Sequence, residues 1–206
     1  MIKKETSEMN AAAIILSGGK SSRMGVNKAL LRINEQTNIE RIRDKLKVYF
    51  HEIILVTNHP EDYSFVQLNT TCDYFTDRGP MAGLHAGLMY SDYDVNLVVA
   101  CDMPFLSGEL AVEMVKRCLH YDAVIPVING KQHPLFSVFK KTVAQEAENC
   151  IKTGNLRMKD LIRRLNVLFV TEKELESFGL IDWDRIFFNM NRPEEYEKAK
   201  KWAEIE

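Results

Sequence analysis

Residues 11–16, "AAAIIL", are apolar at every position. A run this short and this uniform has no side to show to water. It reads as a strand covered on both faces. Similar runs recur in "EIILVTN" (52–58), "NLVVACD" (96–102) and "DAVIPVI" (122–128). Between them lie segments of helical period. Residues 37–50 space Ile39, Ile42, Leu46 and Tyr49 or Phe50 along one face, and 81–91 reads as a helix. Residues 107–119 open on Ser107, a good N-cap, with Glu109 in the first turn. Doubly apolar strands alternating with helices predict an α/β chain: a three-layer Rossmann-like domain with a mostly parallel central sheet and helices on both faces. Further strands are expected at 135–139, 166–171 and 186–189 ("IFFN"), and helices around 140–151 and 156–165. A last helix opens on Pro193. The chain of 206 residues divides into a polar N-terminal tail, 1–10, and one domain, 11–206.

The net charge of −2 gives no bulk attraction for nucleic acid, and no such partner is expected. The run at 11–16 is too short for a signal core or a membrane span, so a cytoplasmic protein without a membrane partner is expected. Cys72, Cys101, Cys118 and Cys150 are too widely spaced for a zinc pattern and imply no disulfide framework; they read as small packing residues.

In a sheet of this kind ligands bind at the carboxyl ends of the strands, so the loops leaving those ends matter most. The loop after the first strand reads "SGGKSSRMGVNK". Gly18 and Gly19 let a ligand approach the backbone, and their N–H groups can face an anion. With Arg23 and Lys28 the loop suits a polyphosphate. A P-loop needs GxxxxGK[ST] and a dinucleotide fold needs GxGxxG; neither fits. The pattern L-x-G-G-x-S-x-R-M-G-x-x-K does fit, at every fixed position from Leu16 to Lys28.

That segment resembles the opening signature of the nucleotidyltransferases that activate sugar phosphates and related compounds. It is most similar to the molybdenum cofactor guanylyltransferases. "DRGPMAGLHAGL" (77–88), "VVACDMPFL" (98–106), "QHPLFSVF" (132–139) and "FNMNRPEE" (188–195) resemble later segments of that family, in the same order. One departure comes after Lys28: "RINEQTN" stands where the family usually has a hairpin ending in Gly-Lys-Pro.

The resemblance implies transfer of GMP from GTP to the phosphate of molybdopterin or Mo-molybdopterin, with release of pyrophosphate. Leu16, Ser17, Gly18, Gly19, Lys28, Asn58, Asp77 and Asp102 are the implied nucleotide-binding residues. Arg23 is implied on the β/γ-phosphates, Lys28 on the α-phosphate, and Asp102 as the ligand of Mg2+, these three forming the catalytic set. Asn189, Asn191 and His133 are implied near the molybdopterin. Several of these have plainer readings as well. Asp102 and Asp77 are also turn residues, Asn58 a loop cap, Asn191 an N-cap, and His133 a packing residue. Gly18, in place of the alanine of cytidylyl relatives, leaves room for a purine. Molybdenum-insertion proteins and molybdoenzyme chaperones are the implied protein partners. The competing readings are a molybdopterin cytidylyltransferase, a sugar-1-phosphate nucleotidyltransferase, and a non-catalytic carrier of nucleotide or molybdopterin.

Overall fold

The structure, a computed structural model, describes residues 9–18, 27–175 and 182–205. In chain order the elements are β1 (Ala11–Leu16), a 3-10 turn (Lys28–Leu30), β2 (Arg32–Ile33), β3 (Gln36–Thr37), α1 (Asn38–Leu46) and β4 (Ile53–Val56). Next come a 3-10 segment (Pro60–Val66), β5 (Asn69–Thr71), α2 (Pro80–Tyr90), β6 (Val95–Ala100), α3 (Gly108–Arg117) and β7 (Ala123–Ile128). The chain then forms β8 (Lys131–Gln132), β9 (Phe136–Lys140), α4 (Val143–Lys152), α5 (Met158–Ile162), β10 (Val167–Thr171), α6 (Glu172–Leu175), α7 (Trp183–Ile186) and α8 (Pro193–Ala203).

The main sheet runs β10-β7-β9-β6-β1-β4-β5, with β8 paired to β7. Pairs β1–β4, β1–β6, β4–β5 and β7–β10 are parallel; β9 runs antiparallel to β6 and β7, and β8 to β7. From β1 the chain moves outward through β4 and β5, then returns to lay β6 on the other side of β1. That reversal opens a crevice at the carboxyl ends of β1 and β6.

The expected double burial of β1 is borne out. Ala11, Ala13 and Ile15 join a cluster with Ile39, Ile42 and Leu46 of α1 and Leu110 and Met114 of α3. Ala12, Ile14 and Leu16 join the opposite cluster, with Met81, Leu84 and Leu88 of α2 and Val143 and Ala147 of α4. Gly87 lets α2 lie close on the sheet: a Cβ there would stand 2.5 Å from Ile14 Cγ2. Among the described residues no helix is long and apolar enough to cross a membrane.

One local expectation is corrected, and one departure is resolved. The apolar stretch at 186–189 is no strand. Asp182 accepts from the N–H of Arg185 and starts the single turn of α7, after which Phe187–Arg192 crosses the carboxyl end of the sheet without regular structure. The departure at "RINEQTN" still makes a hairpin, β2–β3, because Asn34 takes the positive φ (56°) that glycine usually supplies. Thr37 then caps α1, with the Glu40 carboxylate accepting from the Thr37 N–H.

Candidate active site

β1 and β6 stay paired to their ends, where the Cys101 N–H donates to the Leu16 carbonyl (3.1 Å). Ser17 and Gly18 therefore leave the sheet beside Asp102. The peptides flanking Asp102 are held from two sides. Asn38, fully buried at the start of α1, donates its amide to the Cys101 carbonyl, and the Met190 N–H donates to the Asp102 carbonyl (3.0 Å). Lys28 begins a 3-10 turn that Asn27 caps through the Ala29 N–H (3.1 Å). Its Nζ lies 3.5 Å from Asp102 Oδ2 and donates to Asn191 Oδ1 at 2.7 Å. Residues far apart in the chain thus meet on one ammonium group.

Burial pushes the Asp102 carboxyl pKa up, and the Lys28 ammonium partly offsets it. Asp102 Oδ1 is buried and has no hydrogen-bond partner. An orphaned anionic oxygen of this kind is the donor a hard cation needs. Among the described residues no three His, Cys, Asp or Glu side chains cluster for a metal. One carboxylate with phosphate oxygens is the usual manner of holding Mg2+, so the donor set fits that ion when a triphosphate completes it. The neighbouring Cys101 thiol is pushed up to about 12 by burial, so it stays protonated and packs.

The two described ends of the glycine loop share one anchor. Tyr63 Oη lies 2.6 Å from Ser17 Oγ and accepts from Asn27 Nδ2 at 2.8 Å. Tyr63 is buried, which raises the pKa of its phenol and keeps the proton available. Gly19, Lys20 and Arg23, between those ends, lie outside the described residues. No motif surrounds Tyr63 in the sequence, and its role is visible only through this contact.

Leu16 is buried as the last residue of β1, whereas Gly18 is exposed. The nearest atom to a Cβ placed on Gly18 is Asp73 Oδ2, at 4.0 Å. Asn58, just beyond β4, donates to that same oxygen (3.0 Å) and accepts the Asp73 N–H (3.0 Å). Burial raises the Asp73 pKa, and the Asn58 amide partly offsets it. Asp77, the acid singled out from the sequence, stands in the exposed stretch after Asp73 at φ 56°. The carboxylate beside Gly18 and Asn58 is Asp73, which carries no sequence signal because "CDYF" matches no phosphate or metal pattern.

On the opposite side of Asp102, Asn189 donates to the Phe187 carbonyl (2.9 Å). Asn191 does not cap α8; Arg192 holds that position, and the Glu195 carboxylate accepts from the N–H groups of Asn191 and Arg192. The Asn191 side chain is instead engaged with Lys28. The His133 ring packs on Phe187, with centroids 4.5 Å apart. Burial lowers its pKa to about 4. It is therefore uncharged near neutrality and adds no cation for a phosphate.

The chain resembles known proteins in sequence and in fold. The model of the MobA-like NTP transferase domain matches residues 13–168. A probable molybdenum cofactor guanylyltransferase of Peptoclostridium acidaminophilum is 34% identical, covering 93% of this chain and 89% of its own. One from Clostridium perfringens is 36% identical over 100% of both chains. The crystal structure of a molybdopterin-guanine dinucleotide biosynthesis protein A from Archaeoglobus fulgidus superposes with a TM-score of 0.82 at 23% identity, covering 95% of this chain and 100% of that one.

Proposed function

The chain belongs to the MobA-like NTP transferase family, and on that premise we propose that it transfers GMP from GTP to the terminal phosphate of molybdopterin or Mo-molybdopterin. An oxygen of the acceptor phosphate attacks the α-phosphorus of GTP. The α–β bridging bond breaks, and pyrophosphate leaves with the bonding electrons. Little covalent help from the protein is needed; alignment and charge stabilisation carry such reactions.

The observation that carries the reading is the meeting of Lys28, Asp102 and Asn191 at the carboxyl ends of β1 and β6. Lys28 brings a positive charge to the place where charge builds on the α-phosphate. Gly18, and by the resemblance Gly19, offer backbone N–H groups to the triphosphate, with Arg23 on its β/γ end. Asn58 and Asp73, beside Gly18, face the base. Asn189 and Asn191 lie on the acceptor side. Asp102 would hold Mg2+, which shields phosphate charge and steadies the leaving group when bound. Molybdenum-insertion proteins and molybdoenzyme chaperones, in the cytoplasm, are the partners this reading implies.

The test is pyrophosphate release with GTP, CTP, ATP and UTP, each offered with molybdopterin or a sugar 1-phosphate. Turnover is expected with GTP and molybdopterin. Turnover of CTP, or of a sugar phosphate, in its place overturns the reading. Lys28→Ala and Asp102→Ala are expected to lower kcat by about a hundredfold or more while leaving the thermal midpoint within a few degrees. A carrier without catalysis would release no pyrophosphate in any arm.

A further inference from the structure

Where β7 turns into β8, a cavity of about 200 Å3 opens that the reaction so far leaves unused. His133, Trp183 and Phe187 form its aromatic walls, with Asn129, Lys131 and Asp184 among its polar residues. The rings pack on one another: Trp183 to Phe187 at 6.4 Å between centroids, His133 to Phe187 at 4.5 Å. The His133 backbone is fixed as well, its N–H donating to the Pro126 carbonyl (3.0 Å) and its carbonyl accepting from Ser137 Oγ (2.7 Å). Asn129 Nδ2 donates to Asp184 Oδ1 at 3.3 Å, which places an amide and a carboxylate side by side.

The cavity is coupled to the reacting centre through a short segment. Phe187, in its wall, accepts from Asn189 at its carbonyl; Met190 donates to the Asp102 carbonyl; Asn191 accepts from Lys28. Four residue steps separate Phe187 from Asn191, a reach of at most about 14 Å. The cavity also lies on the correct side. In the sheet order β4-β1-β6-β9-β7, Asn58 and Gly18 lie toward β4, while the cavity lies toward β7. Asp102 and Lys28 stand between them. A nucleotide occupying the β1–β4 side leaves the β7 side for the molecule that attacks it.

We infer that this cavity receives the pterin ring of the acceptor, with Trp183 and Phe187 packed against the ring and Asn129 and Asp184 facing its amino-pyrimidinone edge. The inference rests on molybdopterin being the acceptor. A pterin is a flat heteroaromatic bicycle, suited to aromatic walls. Its edge carries an amino group and a ring N–H that a carboxylate accepts, and a carbonyl that an amide donor serves. Its phosphate, carried on an arm beyond a fused ring, extends toward Asn191 and Lys28. An uncharged His133 makes an aromatic wall of the cavity without opposing the partly positive edge of the pterin.

Guanine carries the same amino-pyrimidinone edge, so the test must separate the two heterocycles. Steady-state pyrophosphate release is measured with the full chain, varying GTP and molybdopterin in turn. Trp183→Ala is expected to raise KM for molybdopterin about tenfold, the usual scale of one lost aromatic stack, with KM for GTP within about twofold of wild type. Trp183→Phe restores most of the loss. Asp184→Ala raises the same KM. An unchanged KM for molybdopterin, or an equal rise for GTP, overturns the inference while the transfer reaction stands. A wild-type chain that makes no product from GTP and molybdopterin overturns both. A second readout does not depend on turnover. In a Trp202→Phe background Trp183 is the only tryptophan, and its fluorescence should be quenched by molybdopterin and not by GTP. Quenching by GTP alone assigns the cavity to the nucleotide and overturns the inference.

Discussion

At Asp73, burial raises the pKa of a carboxyl group whose Oδ2 accepts a hydrogen bond from Asn58. A partly desolvated carboxylate with one amide donor gains much from further donors. The ring N–H and amino group of guanine are such donors, whereas cytosine presents an acceptor in place of the ring N–H. Gly18 leaves the approach to Asp73 open. Asp73→Asn keeps the size and removes the charge. It is expected to raise KM for GTP by roughly tenfold or more, the scale of a hydrogen bond to a charged group, with kcat little changed. Isothermal titration with GTP and pyrophosphate-release kinetics check this. An unchanged KM would place the base away from Gly18.

At the scale of elements, α2 fits closely on the sheet. Its apolar residues surround it, and Gly87 brings its backbone against Ile14 of β1 and Val56 of β4. In Gly87→Ala the added carbon meets a side chain with no room to turn aside, and the helix must shift. A loss of about 1–3 kcal/mol is expected, despite the better helix propensity of alanine, as a lowered urea midpoint. Elements of this kind were legible in the sequence. A strand buried on both faces leaves a uniform apolar run, and a helix on a sheet leaves a period. Lys28 and Asp102 stood out in the sequence by residue type and spacing, and the fold brings them together; residues 19–26 of the glycine loop lie outside the described residues. Ile186 and Phe187 were misleading: they are buried, at 8% and 6% exposure, by packing within an irregular segment rather than by strand pairing. Tyr63, Asn38 and Asp73 left no local sign. Each acts through a partner brought near only by the fold: Tyr63 on Ser17 across 46 positions, Asn38 on Cys101 across 63.

Over the whole molecule, histidines whose pKa is lowered by burial link stability to pH. Burial lowers the pKa of His133 to about 4, and lowers that of His85, which packs on Tyr74 and Phe75. Glu148 raises the His85 pKa somewhat, and Lys152 lowers it further. A histidine with a depressed pKa is neutral in the fold and takes up its proton on unfolding. Its contribution is therefore fully present above the ordinary value of 6.5 and is lost as pH falls toward the folded pKa. Asp73 and Asp102 have the opposite sign. Their raised pKa favours the fold below the ordinary 3.8, and that contribution fades as pH rises through the folded value. Removing one histidine isolates its share. His133→Gln is expected to gain on wild type in urea midpoint between pH 7.5 and pH 5. A constant difference across that range would mean that His133 titrates as if in water.

The bond between Lys28 and Asn191 joins positions 163 residues apart. A ribosome delivers Lys28 long before Asn191. While the chain is still growing, β1, β4 and β6 have their pairing partners in hand, yet Lys28 has no amide to hold it. A polypeptide that stops before Asn189 carries every strand from β1 to β10 but lacks the amide that meets Lys28. The contact that holds Lys28 thus closes only once Asn191 has been made.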